Sequence, residues 1–305
     1  MPKYAFFKGD FVPIEEAKVS IMTHAFNYGT GCFEGIRAYW SEEDEQLYLF
    51  RVIEHYQRFH NSCRILLIDM PYSVERLVEI TTELLRREGY REDVYIRPLA
   101  YKATEAIGVR LHDLEDEFAL FALPFGKYIA VEEARACVSS WRRIDDPIIP
   151  ARAKVTGGYV NSALIKTEAV KNGFDEAIVL NEDGHVSEGS GENVFIVRDG
   201  KLITPPVTAN ILEGITRATV LQIAEEELGI ETVERQIDRT ELYVAEEAFF
   251  TGTAAEITPI VEIDHRPVGT GHTGPITKRL QTLYSAIVRG KVERYREWCT
   301  PVYPK

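Results

Sequence analysis

Residues 188–217 read EGSGENVFIVRDGKLITPPVTANILEGITR, and this stretch decides the architecture of the chain. The run Asn193 to Val197 is apolar enough for a strand, RDG supplies a turn, and Lys201 to Thr204 forms a second strand. Pro205 and Pro206 end the pair. After LEGITR, TRATVLQIAEEELG places Val220, Leu221, Ala224 and Leu228 on one helical face and stops at Gly229. A strand pair that leads through a glycine turn into an amphipathic helix belongs to a mixed α/β domain.

Working outward, Glu176 to Leu180 and Val138 to Trp141 read as further strands, and Ser162 to Asn172 reads as a helix ending at Gly173. The first half alternates apolar runs (Leu47 to Phe50, Val94 to Tyr101, Phe118 to Leu123) with helical patterns. The clearest is Ser73 to Arg87, capped by Ser73 and followed by Gly89. Between Pro124 and Glu133 the segment PFGKYIAVEE changes pattern. The expected organisation is therefore a smaller N-terminal α/β domain over 1–123, an interdomain loop over 124–133, and a larger strand-rich domain over 134–305.

Composition sets limits. A chain of 305 residues with 45% apolar and 27% charged side chains can bury a real core without disulfides or metals. Its 35 basic and 48 acidic residues give a net charge of −13, which repels nucleic-acid phosphates and anionic lipid. The longest uncharged stretches, such as Leu202 to Leu212, reach eleven residues, too few to span a bilayer. The opening MPKYAFFKGDFVP carries Lys3, Lys8 and Asp10, unlike a secretory signal, so a cytoplasmic protein is expected. Cys32, Cys63, Cys137 and Cys299 form no CxxC pair and no metal-ligand spacing, so they read as reduced, apolar-like residues and no metal is expected.

Several residues carry possible chemistry. The glycine turn of LEGITR can hold a phosphate on the unpaired N–H groups of Ile215 and Thr216 and on the Thr hydroxyl. In TGTAAEITP, Thr253 and Ala254 offer two more N–H groups and a hydroxyl. Taken singly, either stretch is also read as a plain turn before a helix, with Thr as its cap. Glu188 either faces solvent or points inward and needs a cationic partner, and Lys154 in ARAKVTGGYVNS has the look of an ordinary solvated lysine.

In order, however, these segments resemble the class IV aminotransferases, pyridoxal-phosphate enzymes of fold type IV. EGSGENVF, six residues, LIT, seven residues and LEGITR reproduce the spacing of that family's signature. AKVTGGYVNS, NYGTGCFEGIRAY, HYQRFHNS, VYIRPLAY, TGTAAEITP and GPITKRLQ are similar to counterparts in the branched-chain aminotransferases, from about Tyr4 to Gly290. The resemblance implies that Lys154 carries the cofactor as a Schiff base and then acts as general acid and base. It implies that Glu188 keeps the ring nitrogen protonated, that Arg58, Ile215, Thr216 and Thr253 hold the phosphate, and that Tyr159 bonds the ring oxygen. Thr156, Gly157, Gly158 stand where many relatives read Gly-Gly-Asn before that tyrosine, with the five-residue offset from the lysine kept.

For the substrate, the resemblance implies a pocket of Phe33, Gly35, Tyr95, Arg97, Tyr128, Thr253 and Ala254, completed by Tyr28 from a second subunit. Aromatic side chains suit an aliphatic amino acid, and Arg97 suits the distal carboxylate of 2-oxoglutarate. The implied reaction moves the amino group of leucine, isoleucine or valine to 2-oxoglutarate in at least a homodimer. Transamination of D-amino acids or (R)-amines, and release of pyruvate from aminodeoxychorismate, are the rival reactions on the same scaffold. A non-enzymatic binding protein that keeps the fold is a further rival. In this reading the cofactor lies between the domains, and an acidic shell surrounds a locally positive site.

Overall fold

The computed structural model describes residues 2–126, 129 and 131–304. Its contacts gather the chain into two units. The first comprises Met1–Gly126, Ala153–Gly157 and Ala286–Lys305, and the second Lys127–Arg152 and Gly158–Ser285. A single cut near residue 130 would leave 153–157 and the C-terminal tail with the second unit; both cluster with the first.

The first unit is built on an eight-stranded antiparallel sheet. Its order is Cys299–Pro301, Gln46–Phe50, Ile36–Ser41, Val94–Lys102, Asp116–Pro124, Tyr4–Phe7 and Asp10–Pro13, with Gly31–Phe33 also paired to Val94–Lys102. Burial alternates along Val94–Lys102, so Tyr95 and Arg97 share the less buried face. The helix Val74–Glu88 follows its sequence signals: the Ser73 side chain accepts from Arg76 N–H, and Gly89 closes it at φ 71°. The helix Val52–Ile65 buries Val52, His55, Tyr56, Phe59, Ser62 and Cys63 at helical spacing, and Arg58 lies one turn before Ser62 on the same side.

The Lys154 segment is laced to the Gly31–Phe33 strand. Phe33 N–H donates to the Lys154 carbonyl at 3.1 Å, Thr156 N–H to Gly31 at 2.8 Å, and Gly157 N–H to Gly29 at 3.1 Å. Thr156 Oγ1 adds bonds to the Gly29 and Gly31 carbonyls at 2.8 and 3.0 Å. From the helix side, Lys154 N–H donates to Ser62 Oγ at 3.1 Å. Thr156, the departure from the usual loop sequence, is thus a fastener.

The second unit holds a nine-stranded mixed sheet in the order Val186–Gly189, Glu176–Leu180, Ala134–Arg142, Glu256–Ile263, Glu247–Gly252, Asn193–Arg198, Lys201–Thr204 and Thr232–Glu234, with Arg266–Pro267 on Glu256–Ile263. Two of its parallel pairings follow helical crossovers. Tyr159–Lys171 links Ala134–Arg142 to Glu176–Leu180, and Ile215–Leu228 links Lys201–Thr204 to Thr232–Glu234. Ile178, Val194, Ile196, Ile203, Phe250 and Ile260 are among the side chains of its core. Two local readings change. The helix expected from Ser162 begins at Tyr159, and the TGTAA stretch turns into the strand Glu256–Ile263, not into a helix.

Gly29 sits at φ +67°, and a Cβ there would lie 2.7 Å from the Gly157 Cα. Gly29→Ala should therefore cost roughly 1–3 kcal/mol in denaturant unfolding; an unchanged midpoint would contradict this close approach.

Candidate active site

In the first unit, the lacing leaves the Lys154 side chain with its Nζ 5.1 Å from the centroid of the Phe33 ring. Next to Phe33, fully buried Glu34 takes two bonds from Arg58, Nε to Oε1 at 2.8 Å and Nη2 to Oε2 at 2.9 Å. His55 Nδ1 meets Oε2 at 2.9 Å. Burial alone would raise the Glu34 pKa, but the Arg58 charge and the His55 bond overcome it and hold the carboxyl far below the usual carboxylate range. Burial pushes the His55 pKa down against the pull of Glu34. The arginine expected at the phosphate is thus a charged group in a fixed orientation.

The expected substrate residues of this unit also gather. A Cβ on Gly35 would fall 2.2 Å from the Tyr95 hydroxyl, so glycine makes room for that side chain. Arg97 Nη2 donates to the Tyr95 hydroxyl at 3.0 Å, and its guanidinium lies 4.4 Å from the Phe33 centroid. Arg97 Nε is buried without a hydrogen-bond partner among the described residues. Tyr28 is half-buried and its hydroxyl accepts from Gly108 N–H at 3.1 Å, beside the exposed Ile21, Phe26, Ile107 and Val109. Tyr128 lies outside the described residues.

In the second unit, Glu188 points inward from the strand Val186–Gly189, and its cationic partner is Arg143, Nη2 to Oε1 at 2.8 Å. Oε2 accepts from Asn193 Nδ2 at 3.0 Å and from Leu212 N–H at 3.1 Å. Asn193 Oδ1 would be 2.0 Å from a Cβ on Gly214, which explains the glycine of LEGITR. Gly214 leads into the helix Ile215–Leu228 without a side-chain cap, so no cap competes for the first-turn N–H groups of Ile215 and buried Thr216. Tyr159 opens its helix half-buried, and Thr253 and Ala254 sit half-buried in the turn between two strands.

Glu34, His55, Ser62 and Arg143 were not singled out by sequence reasoning. Their roles come from partners distant in the chain, as with Lys154 and Ser62, 92 residues apart. No group of three or more metal-binding side chains occurs among the described residues, and no helix among them is long and apolar enough to cross a membrane.

An amine on a fixed backbone and a held arginine in the first unit, and a buried carboxylate and an uncapped helix start in the second, are each the kind of group that suits pyridoxal phosphate, a pyridine aldehyde bearing a dianion. The family model for Amino-transferase class IV matches residues 31–263, and the chain belongs to this family. It is 56% identical over 303 residues to a probable branched-chain-amino-acid aminotransferase of Aquifex aeolicus, covering 99% of this chain and 97% of that protein. The branched-chain aminotransferase of Thermoproteus uzoniensis, solved with norvaline, superposes with a TM-score of 0.95 at 50% identity, over 99% of this chain and 100% of that one. The branched-chain amino acid aminotransferase of Thermobaculum terrenum, solved in its PLP-bound holo-form, also gives 0.95, at 42% identity over 99% of each chain.

One buried acid lies outside these roles. Burial, with the nearby Glu176, raises the Glu192 carboxyl from 4.5 to about 8. A carboxyl whose pKa is raised on folding binds its proton more tightly in the folded chain, so its contribution to stability falls as pH rises between those values. The stability of Glu192→Gln relative to the parent should therefore grow from pH 4.5 to about 8 and level off above it in urea unfolding; parallel pH profiles would contradict this.

Proposed function

We propose that this chain is a pyridoxal-phosphate-dependent branched-chain aminotransferase that moves the amino group of leucine, isoleucine or valine to 2-oxoglutarate. The observation that carries the reading is Lys154, held through its backbone on both sides, with its Nζ 5.1 Å from the centroid of the Phe33 ring. When bound, the cofactor supplies an electron-accepting ring. Lys154 would attach it, and its amine would carry a proton from the substrate α-carbon to the cofactor's aldehyde carbon, the shift that leaves the amino group on the cofactor. Glu188 would keep a proton on the ring nitrogen, Tyr159 would bond the ring oxygen, and Arg58, Ile215, Thr216 and Thr253 would hold the phosphate.

Phe33 and Tyr95 suit an aliphatic side chain, and Gly35 keeps space beside them. Arg97, with a buried Nε that has no acceptor among the described residues, suits the distal carboxylate of 2-oxoglutarate, and its bond to Tyr95 lets one pocket serve both substrates. Thr253, Ala254 and Tyr128 complete the proposed pocket. Exposed Ile21, Met22, Phe26, Ile107 and Val109 cluster around Tyr28 in support of a homodimer that brings Tyr28 to the partner's substrate. Four buried free thiols accord with a reducing cytoplasm.

Lys154→Ala should lower leucine-to-2-oxoglutarate transamination by at least about 10³-fold while the protein stays folded by circular dichroism. In the parent, L-leucine should outpace D-alanine and an (R)-arylamine. Parent-like activity in the variant, or a preference for either competitor, would overturn the assignment.

A further inference from the structure

Arg143 stands behind Glu188, and nothing in the proposed catalytic set uses it. Its Nη2 lies 2.8 Å from Glu188 Oε1, with side-chain exposures of 15% and 6%. Its own orientation is built in. Arg143 Nε donates to the Asn210 carbonyl at 3.1 Å, and Arg143 N–H donates to Leu180 at 2.9 Å. Asn210 in turn adopts φ 55°, a left-handed conformation asparagine tolerates. Its side chain is fixed by bonds to Asp145 at 2.7 Å, to Asn181 at 3.1 Å and from Asp146 N–H at 3.1 Å. A half-buried guanidinium held this firmly against one oxygen of a buried carboxylate does more than fill space.

We infer that Arg143 is a positioning residue that sets the charge of Glu188, so that the proton they compete for rests on the cofactor's ring nitrogen and not on the carboxyl. The inference rests on Glu188 being the partner of that nitrogen. A carboxylate and a pyridine share one proton, and its place depends on which is the stronger base. The fixed positive charge of Arg143 weakens the basicity of Glu188, while the neutral donors Asn193 and Leu212 N–H aim its other oxygen. Arginine suits the task because it never gives up its own proton. Without Arg143, Glu188 takes more of the shared proton, the ring withdraws electrons less strongly, and the nitrogen joining Lys154 to the cofactor becomes more basic.

The test compares holoenzymes of the parent, Arg143→Met, Arg143→Gln, Arg143→Lys and, as a control on Glu188 itself, Glu188→Gln. The Met and Gln variants should raise the midpoint of the cofactor's pH-dependent visible absorbance and lower kcat for L-leucine by at least about tenfold, with KM much less affected. Arg143→Lys should recover part of both, because it restores the charge without the planar fork. An unchanged midpoint in Arg143→Gln, or a lysine variant no better than the methionine one, overturns the role of Arg143. Parent-like kcat in Glu188→Gln would instead remove the assignment of Glu188 on which the inference stands.

Discussion

The antiparallel lacing of residues 153–157 onto Gly31–Phe33 is the constraint on which the chemistry depends. The catalytic role proposed for Lys154 calls for an immobile backbone beneath the reacting amine. Here the Lys154 carbonyl is held by Phe33, its N–H by Ser62, and the following residues by Gly29 and Gly31. The same bonds place Phe33, Glu34 and Gly35 beside the lysine segment. The close approach of Gly157 leaves no room for a side chain at Gly29, and Thr156 closes the loop with its hydroxyl.

The buried electrostatics follow one pattern within each of the two units. Each unit sets a buried glutamate against an arginine: Glu34 with Arg58, and Glu188 with Arg143. Burying ions is costly unless they are paired and hydrogen-bonded, and each carboxylate receives further bonds from His55 or from Asn193 and Leu212. What that burial gains is orientation, since each charge is already fixed by its protein partners. A chain of net charge −13 thus sets these two arginines against carboxylates inside the fold.

Much of the fold was readable where the signals are local. Ser73 and Gly89 bracket the helix Val74–Glu88, and the signature from Glu188 to Arg217 falls on strands and a helix start as its turns require. Glu34, His55 and Arg143 escaped notice because nothing next to them marks their function. Glu34 meets Arg58 from 24 residues away, and Arg143 gains meaning only when the Val186–Gly189 strand brings Glu188 to it. Thr156 looked like a departure because its partners are backbone carbonyls of another segment, which no residue type announces.

The most direct measurement is covalent. Holoprotein reduced with borohydride, digested and analysed by mass spectrometry should carry the phosphopyridoxyl group on the peptide containing Lys154 and on no other lysine. Its appearance on a different lysine, or no labelled peptide from protein shown to hold the cofactor, would contradict Lys154 as the attachment point.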